Sequence, residues 1–415
     1  MSHILIIGGG FAGVWSAASA AKLRQQCGRT ESDLTVTLVS SGDDLVIRPR
    51  LYESAPHRMR VSLDAVLGPI GVRRIAATVT NIDVDARQVA AVGRNGLMTL
   101  LPYDRLVLAS GSQVIEPQIP GAEHLFDVDT MHGAASLDYH LLRLPQRPSQ
   151  HGRFTAVVIG AGFTGLEITT ELTRRLREIA GSAEHVRVVL VERQEVVGPE
   201  LGAGPRPVIA EALNELGVEV RLGVSLESVT PEGVRLSDGS DIATSTVVWT
   251  VGMIASPLTS FVPAERDQLG RLPVDSSLRV HGVPDVFAAG DTAAALATEG
   301  RTVMQSCQHA LPQGKFAGHN VAADLLGQPL VPFEPVPYVT CLDLGAAGAV
   351  VTSGWERTVL MSGPAGKDLK RTINAEWIYP PVDDAAALLS MAGPQAEWPE
   401  YTPEEEPVEF GRAAS

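Results

Sequence analysis

The sequence predicts an α/β fold that contains two copies of one strand–turn–helix–strand unit. Residues 3–40 and 155–192 align without a gap, and each begins with a short apolar run that enters a glycine-rich turn. A helical segment and a second apolar run complete each copy. Strands that alternate with helices in this way form βαβ units of a parallel sheet. The repeat therefore predicts two α/β domains in one chain.

Both turns carry the spacing Gly-x-Gly-x-x-Gly. The first glycine permits a tight turn, the second lets the backbone approach a pyrophosphate, and the third lets helix and strand pack closely, while the helix N-terminus favours phosphates. A glycine-rich turn that binds nothing is the alternative, but two copies in the same context favour two Rossmann-like dinucleotide-binding domains. The turn residues assigned to these sites are Gly8, Gly10, Phe11, Ala12 and Gly13 in the first copy, and Gly160, Gly162, Phe163, Thr164 and Gly165 in the second.

Three further apolar runs close on a glycine turn and predict buried strands, at residues 106–111, 247–252 and 286–291. The first two take equivalent places after the two glycine turns. Residues 145–153, rich in proline and polar side chains, predict an exposed linker before the second nucleotide unit. The residues at the ends of these runs, Ala109, Ser110, Gly111 and Gly252, are assigned to the cofactor sites as well.

The last part of the chain predicts a small α+β region. Alternating apolar and polar residues at 338–361 predict strands, and residues 366–374 predict a helix. Residues 397–409 are acidic and rich in proline, which predicts an extended, solvated tail. The expected division is 1–130 and 263–330 for the two parts of the first nucleotide domain, 131–262 for the second, and 331–415 for the C-terminal domain.

Charge and composition exclude several classes of function. The chain has 415 residues and a formal net charge of −15, which disfavours nucleic acid and anionic membrane surfaces as partners. No apolar run is long enough to span a membrane, and the first strand leaves no room for a signal peptide, so we expect a cytoplasmic protein. The three cysteines are far apart and lack metal-ligand spacing, so no metal site is expected.

One segment reverses the overall charge. Residues 48–74 carry six arginines against one glutamate and one aspartate. Solvated surface arginines are one interpretation, and a site for an anionic ligand or partner is the other. The sequence leaves this choice open, and it leaves the oligomeric state open too, a homodimer included.

Taken together, these features resemble the FAD- and NAD(P)H-dependent pyridine nucleotide oxidoreductases over about residues 2–326. The resemblance implies FAD at the first glycine turn and NADH, with NADPH as a possibility, at the second. It also implies that Gly290 and Asp291, a glycine–aspartate pair after a strand, complete the FAD site. A helix cap after the strand is the alternative role of Asp291.

Within that superfamily the chain looks most like type II NADH dehydrogenases, the single-chain NADH:quinone reductases. Residues 49–53, Pro-Arg-Leu-Tyr-Glu, resemble their segment beside the flavin, and this resemblance implies that Arg48 and Pro49 contact the cofactor. Glu167 matches their glutamate after the second glycine turn, with a favourable helix-dipole charge as its alternative role. Residues 308–314 resemble their element near flavin and quinone, which implies catalytic roles for Gln308 and Gln313; a helix tether is the alternative.

The chain also departs from that family. Its acidic tail has no counterpart of the family's membrane-binding amphipathic helix, so at most weak peripheral membrane contact is expected. Ser40 ends the second strand where an acid usually holds the adenosine ribose of FAD. Glu192 occupies the equivalent place in the second copy and favours NADH, whereas the adjacent Arg193 could hold the 2′-phosphate of NADPH.

The sequence therefore predicts an enzyme that transfers a hydride from NADH to FAD and passes electrons to a quinone or quinone-like small-molecule acceptor. Residues 46–56 contain no cysteine, which excludes the redox disulfide that related reductases carry there. Two alternatives stay open: a reductase of a protein carrier such as a ferredoxin, docking at residues 48–74, and a flavoprotein whose redox state controls a binding partner.

Overall fold

The strands and helices follow the predicted order. The computed structural model describes residues 2–181, 185–297, 300–335 and 337–395. Its strands are β1 Ser2–Ile7, β2 Leu34–Ser40, β3 Asp44–Val46, β4 Arg60–Ser62, β5 Arg73–Asp83, β6 Gln88–Gly93, β7 Met98–Pro102, β8 Arg105–Leu108, β9 Ser112–Val114, β10 Thr155–Ile159, β11 Arg187–Glu192, β12 Glu219–Leu222, β13 Leu226–Thr230, β14 Gly233–Leu236, β15 Asp241–Ala243, β16 Thr246–Trp249, β17 Met253–Ala255, β18 Leu272–Pro273, β19 Val286–Ala288, β20 Ala293–Ala294, β21 Val339–Asp343, β22 Ala349–Ser353 and β23 Thr358–Ser362. Its α-helices are α1 Phe11–Gln26, α2 Leu63–Leu67, α3 Met131–Arg143, α4 Phe163–Ala180, α5 Arg206–Glu215, α6 Cys307–Leu326, α7 Gly363–Thr372 and α8 Ala385–Met391.

The first glycine turn belongs to a seven-stranded sheet with the order β19-β8-β1-β2-β5-β6-β7. The strands from β19 to β5 are parallel, and β6 and β7 continue the sheet antiparallel. The central strand β1 is buried because helices or loops cover both faces of its apolar run, with Ile4, Leu5 and Ile6 fully inaccessible. The chain leaves this sheet after β8, and it returns at β19 after the second glycine unit.

Helices α1 and α6 approach each other unusually closely. A Cβ atom built on Gly314 would lie 2.4 Å from the backbone oxygen of Ala12, and one on Gly318 would lie 2.0 Å from that of Ser16. Both glycines are therefore required for the helices to approach. Half of the sixteen residues of α1 are alanine, serine or glycine, and thirteen of the sixteen are buried.

The second glycine turn belongs to a four-stranded parallel sheet with the order β12-β11-β10-β16. An antiparallel sheet of β13, β14 and β15 packs beside it. The short antiparallel pair of β9 and β17 joins a segment that follows β8 to one that follows β16, and thereby connects the two parallel sheets. The predicted α/β fold is confirmed.

The C-terminal region is an antiparallel sheet of β21, β22 and β23 covered by α7. The strands fall where alternation predicts them. The helix begins at Gly363, three residues before the predicted start, because Pro364 occupies its first turn, where its missing N–H costs nothing. Helix α8 packs against α1. The predicted acidic tail at residues 397–409 lies outside the described residues.

The packing of α1 on α6 leads to a stability prediction. Gly318→Ala should lower the free energy of unfolding by about 1–3 kcal/mol, because the new methyl group meets the backbone of Ser16 and one helix must shift. Urea unfolding followed by circular dichroism measures the change. Gly68→Ala is the matched control, since a Cβ there meets nothing within 4 Å and the backbone is already helical. Equal stability of the two variants would contradict the prediction.

Candidate active site

The first glycine turn has the geometry of a phosphate cradle. Gly8 has φ +117°, and a Cβ on it would lie 2.1 Å from the backbone oxygen of Ala109. A Cβ on Gly13 would lie 1.9 Å from the backbone oxygen of Gly8, whereas one on Gly10 would meet nothing within 4 Å. Gly10 is also the cap of α1 and makes no side-chain cap, so the first N–H groups of a sixteen-residue helix stay available. The open position is thus the one that a pyrophosphate would approach.

The second glycine turn repeats this geometry. Gly160 has φ +103°, and a Cβ on Gly165 would lie 1.8 Å from the backbone oxygen of Gly160. A Cβ on Gly162, the cap of the eighteen-residue α4, would meet nothing within 4 Å. Phe163 and Thr164, the next two residues, begin α4, and the Thr164 side chain is exposed. Both predicted turns therefore have an open backbone at the middle glycine.

The residues that end the second strand of each copy differ, as the sequence indicates. Ser40 ends β2 and lies beside Gly9 of the first glycine turn. A Cβ built on Gly9 would lie 2.6 Å from the Ser40 hydroxyl oxygen. Glu192 ends β11, and its buried carboxylate accepts hydrogen bonds from the backbone N–H groups of Ala161 (2.8 Å) and Gln194 (2.9 Å). Each carboxylate oxygen keeps acceptor capacity for a hydroxyl group. Arg193 is exposed.

Asp291 lies at the centre of a polar cluster. It follows β19 in a short 3₁₀ turn, and its carboxylate accepts a hydrogen bond of 2.5 Å from the Ser112 hydroxyl. Arg48 lies 3.6 Å from the same oxygen and donates to both Ser112 (2.8 Å) and Asp129 (2.7 Å). Burial raises the pKa of Asp129, and Arg48 only partly offsets this. Ser112 and Asp129 are new members of the site, which the sequence did not reveal because neither lies in a motif.

Two predicted turns surround this cluster. The Ser110 hydroxyl is buried and has no hydrogen-bond partner in the part of the chain that the structure describes. Such a group normally has one, so it is available to a ligand. Gly111 and Gly252 both have positive φ, and the Gly252 carbonyl accepts from the Ile115 N–H at 3.1 Å. Pro49 lies in the 3₁₀ turn that begins with Arg48.

The two glutamines on α6 already have protein partners. The Gln313 side-chain oxygen accepts a buried hydrogen bond of 3.0 Å from the Gly290 N–H, which ties α6 to the turn that carries Asp291. The Gln308 amide lies beside β21, where its NH₂ group donates to the Val339 carbonyl at 2.5 Å and its oxygen accepts from the Val339 N–H at 3.1 Å. These contacts support the tether interpretation, and a direct role of either amide in catalysis stays a prediction.

Glu167 is buried and paired with a residue from the C-terminal region. Its carboxylate lies 2.8 Å from the Lys370 ammonium and accepts from the Asp343 N–H at 3.1 Å. Burial raises the pKa of Glu167 to about 7, although the charge of Lys370 opposes this. Burial alone would lower the pKa of Lys370, but the charge of Glu167 outweighs it and the net change is upward. Glu167 is therefore a carboxyl group that exchanges its proton near neutral pH.

Three elements meet at this pair. The Tyr52 hydroxyl, from the Pro-Arg-Leu-Tyr-Glu segment, donates to Asp343 at 2.9 Å, and Lys367 forms an ion pair with the same carboxylate. Burial raises the pKa of Tyr52 well above its ordinary value. The Lys370 ammonium lies 5.6 Å from the centre of the Phe163 ring. Sequence reasoning missed Lys367 and Lys370, although two lysines three residues apart on a predicted helix share one face.

Cys307 lies between the two clusters, at the start of α6. Burial raises the pKa of its thiol to about 11, and Lys370 and Asp291 are both close enough to influence it. The thiol is therefore protonated at neutral pH and unreactive. All three cysteines of the chain are unpaired. Within the described ranges, no group of three or more histidine, cysteine and acidic side chains could hold a metal ion.

Most arginines of the segment 48–74 are neutralised. Arg50 pairs with Glu53 (2.7 Å), and Arg74 pairs with Asp64 (2.6 Å). Arg48 and Arg60 have carboxylate partners as well. These pairs lower the charge that an anionic partner would meet.

The raised pKa of Glu167 leads to a pH prediction. Because its folded pKa lies above the unfolded value, protonated Glu167 stabilises the fold at low pH, and this contribution is lost as the pH rises through about 7. In the wild type, this loss makes the free energy of unfolding fall by at most about 1.4 kcal/mol per pH unit between pH 5 and 7. Glu167→Gln should remove this slope. Unfolding free energies measured across this range give the slope. Glu178→Gln, an exposed position on the same helix, is the control and should keep the wild-type slope.

Several known proteins are similar to this chain over nearly its whole length. An NADH dehydrogenase-like protein of Mycobacterium tuberculosis is 46% identical over 402 residues, which cover 96% of this chain and 99% of the relative. A demethylphylloquinone reductase of Synechocystis is 28% identical over 92% of this chain and 97% of its own length. Among the described residues, no helix is both long enough and apolar enough to cross a membrane.

Solved structures share the fold at low sequence identity. The NDH2 of Plasmodium falciparum in complex with NADH has a TM-score of 0.77 at 13% identity, over 91% of this chain and 95% of that one. The sulfide:quinone oxidoreductase of Aquifex aeolicus has a TM-score of 0.74 at 18% identity, over 91% of each chain. Residues 2–314 match the family described as pyridine nucleotide-disulphide oxidoreductase. The chain therefore belongs to this family, and it is an NAD(P)H oxidoreductase.

Proposed function

We propose that the chain oxidises NADH through a bound FAD and passes the electrons to a quinone or quinone-like small molecule. The observation that carries this proposal is the buried pair of Glu167 and Lys370. Glu167 follows the second glycine turn by two residues, and both members of the pair lie close enough to Cys307, the first residue of α6, to influence its pKa. The names of the relatives, an NADH dehydrogenase-like protein and a demethylphylloquinone reductase, support it.

The first glycine turn and its surroundings fit FAD. The open backbone at Gly10 suits the pyrophosphate, the unpartnered Ser110 hydroxyl offers a polar contact, and Asp291 offers a carboxylate to the ribityl chain. A bound FAD would supply the redox chemistry, since flavins accept a hydride from nicotinamides. We infer that residues 1–130 and 263–330 form the FAD domain, because β19 joins the first sheet, and that 131–262 bind the nicotinamide nucleotide and 331–415 form the C-terminal domain.

The second glycine turn fits NADH. The carboxylate of Glu192 is fixed beside the turn, where it can accept hydrogen bonds from the two ribose hydroxyls and would repel a 2′-phosphate. Arg193 is exposed and adjacent to Glu192, where its guanidinium could hold the 2′-phosphate of NADPH. NADPH is therefore compared with NADH in the same assay.

A quinone becomes a hydroquinone by taking up two electrons and two protons. The hydride of NADH accounts for both electrons and one of the protons, so the acceptor side of the reaction requires one further proton. Glu167 is suited to deliver a proton, since burial raises its pKa to about 7 and a group with such a pKa can both hold and release a proton near neutral pH. Lys370 holds Glu167 in place and can stabilise negative charge on the acceptor oxygen. No cysteine takes part, because the Cys307 thiol is protonated and the segment beside the flavin has none.

The FAD assignment is tested by two substitutions. Asp291→Ala should lower the flavin content of the purified protein by about tenfold, because it removes a charged hydrogen-bond partner. Ser40→Ala removes one neutral hydroxyl and should cost little. Denaturing each protein and measuring the released flavin by chromatography gives the occupancy. Release of no flavin from the wild type, or of flavin mononucleotide, would contradict the assignment.

The acceptor assignment is tested by separating the two half-reactions. NADH should reduce the enzyme anaerobically, and a soluble quinone analogue should reoxidise it in a stopped-flow experiment. Glu167→Gln should slow reoxidation by about tenfold or more, while reduction by NADH changes much less, because only the quinone needs the proton. Glu178→Gln serves as the control. Equal slowing of both half-reactions would contradict proton delivery, and faster reoxidation by a ferredoxin than by any quinone would contradict the small-molecule acceptor.

A further inference from the structure

A cavity lies at the edge of the second sheet that is opposite the glycine turn. It has a volume of about 480 Å³ and is bordered by one face of α3 and by the turn that follows this helix. At its floor His140 hydrogen-bonds to Thr246, the first residue of β16, at 2.9 Å. Gly160 follows the last residue of β10, which is parallel to β16. The cavity is therefore separated from the nucleotide turn by the length of the sheet.

The charge of this cavity is positive. Arg143 and Arg147 both line it, and neither forms an ion pair with a carboxylate among the described residues. The stretch 139–166 contains no acidic residue, in a chain with a net charge of −15. A third guanidinium, that of Arg153, donates to the Arg147 carbonyl at 3.1 Å. Neighbouring positive charges repel each other, and a bound anion relieves this repulsion.

The other groups that face these arginines do not cancel their charge. Burial lowers the pKa of His140 to about 4, so its ring is neutral at neutral pH. Asp138, the acidic residue on α3, pairs instead with Arg175 of α4. The positive charge therefore remains directed to whatever enters the cavity.

Aromatic side chains complete the lining. The Phe126 ring packs on His140 with centroids 4.6 Å apart. Tyr139 lies one turn before Arg143 on the same face of α3, is 61% exposed, and has the Arg143 guanidinium 5.3 Å from its ring centre. A large exposed aromatic ring next to arginines suits a planar heteroaromatic ligand, since such a ring stacks on both.

We propose that this cavity binds an organic phosphate that carries an aromatic base, of the size of a nucleoside monophosphate. The phosphate would lie between the guanidiniums of Arg143 and Arg147, which match its geometry in pairs of hydrogen bonds. The base would lie against Tyr139 and Phe126. The volume lies within the range of small-molecule sites, roughly 300–1,000 Å³. This site is additional to the two dinucleotide sites and independent of the proposed acceptor.

Calorimetric titration of the full holoprotein with adenosine monophosphate tests the proposal. The double variant Arg143→Gln/Arg147→Gln should weaken the binding at least about tenfold, because it removes both charged partners of the phosphate. Arg29→Gln is the matched control, because Arg29 is exposed and far in sequence from the residues that line the cavity. This variant should bind adenosine monophosphate as the wild type does. Thermal unfolding and titration with NADH show that the double variant is folded and that its nicotinamide site is intact.

Three outcomes would overturn the proposal. Unchanged affinity of the double variant would place the nucleotide in a dinucleotide site instead. Inorganic phosphate that binds as tightly as the nucleotide would remove the role of the aromatic rings, and adenosine that binds as tightly would remove the role of the arginines. In the expected result, neither fragment matches the nucleotide, and Tyr139→Leu weakens binding of the nucleotide but not of inorganic phosphate.

Discussion

The close approach of α1 and α6 is the constraint on which the geometry around the first glycine turn depends. The two helices touch through glycine, so the position of α6 is set by backbone contact rather than by side chains that could adapt. Helix α1 begins at the first glycine turn, and α6 carries the glutamine that holds Gly290. One helix pair therefore fixes the distance between the phosphate cradle and Asp291. A larger residue at either glycine would move both ends of the site at once.

A second constraint comes from charge burial. Glu167 and Lys370 are each more than nine-tenths buried, and neither is stable there alone, since an isolated buried charge costs several kcal/mol. The pair holds the C-terminal sheet and α7 onto α4, because Lys370 belongs to one and Glu167 to the other. The C-terminal region is thus attached through the same groups that are proposed to deliver protons, so truncating either side chain would weaken the attachment together with the proposed chemistry.

The sequence predicted the parts of the fold that have a local cause. Glycine spacing gave both turns, and apolar runs gave β1, β8, β10, β16 and β19, because these features depend on neighbouring residues only. It did not predict the partners of Glu167, Asp291 or Gln313. Ser112 reaches the site from a distant part of the chain, and no local pattern marks it. The spacing of Lys367 and Lys370 marks a shared helix face, but it does not reveal that Lys370 meets Glu167, about 200 residues earlier in the chain. The C-terminal helix was predicted to begin at residue 366, whereas it begins at Gly363 with Pro364 in its first turn.

The hydrogen bond from Ala161 to Glu192 has a consequence for the kinetics of nucleotide capture. The carboxylate holds the N–H of the turn itself, so the conformation of the turn is fixed by a contact within the chain. Ordering a flexible loop costs conformational entropy at the moment of association, and a loop that is ordered in advance avoids that cost. At this proposed nucleotide site we therefore expect association to be limited by diffusion and orientation rather than by a folding step of the loop.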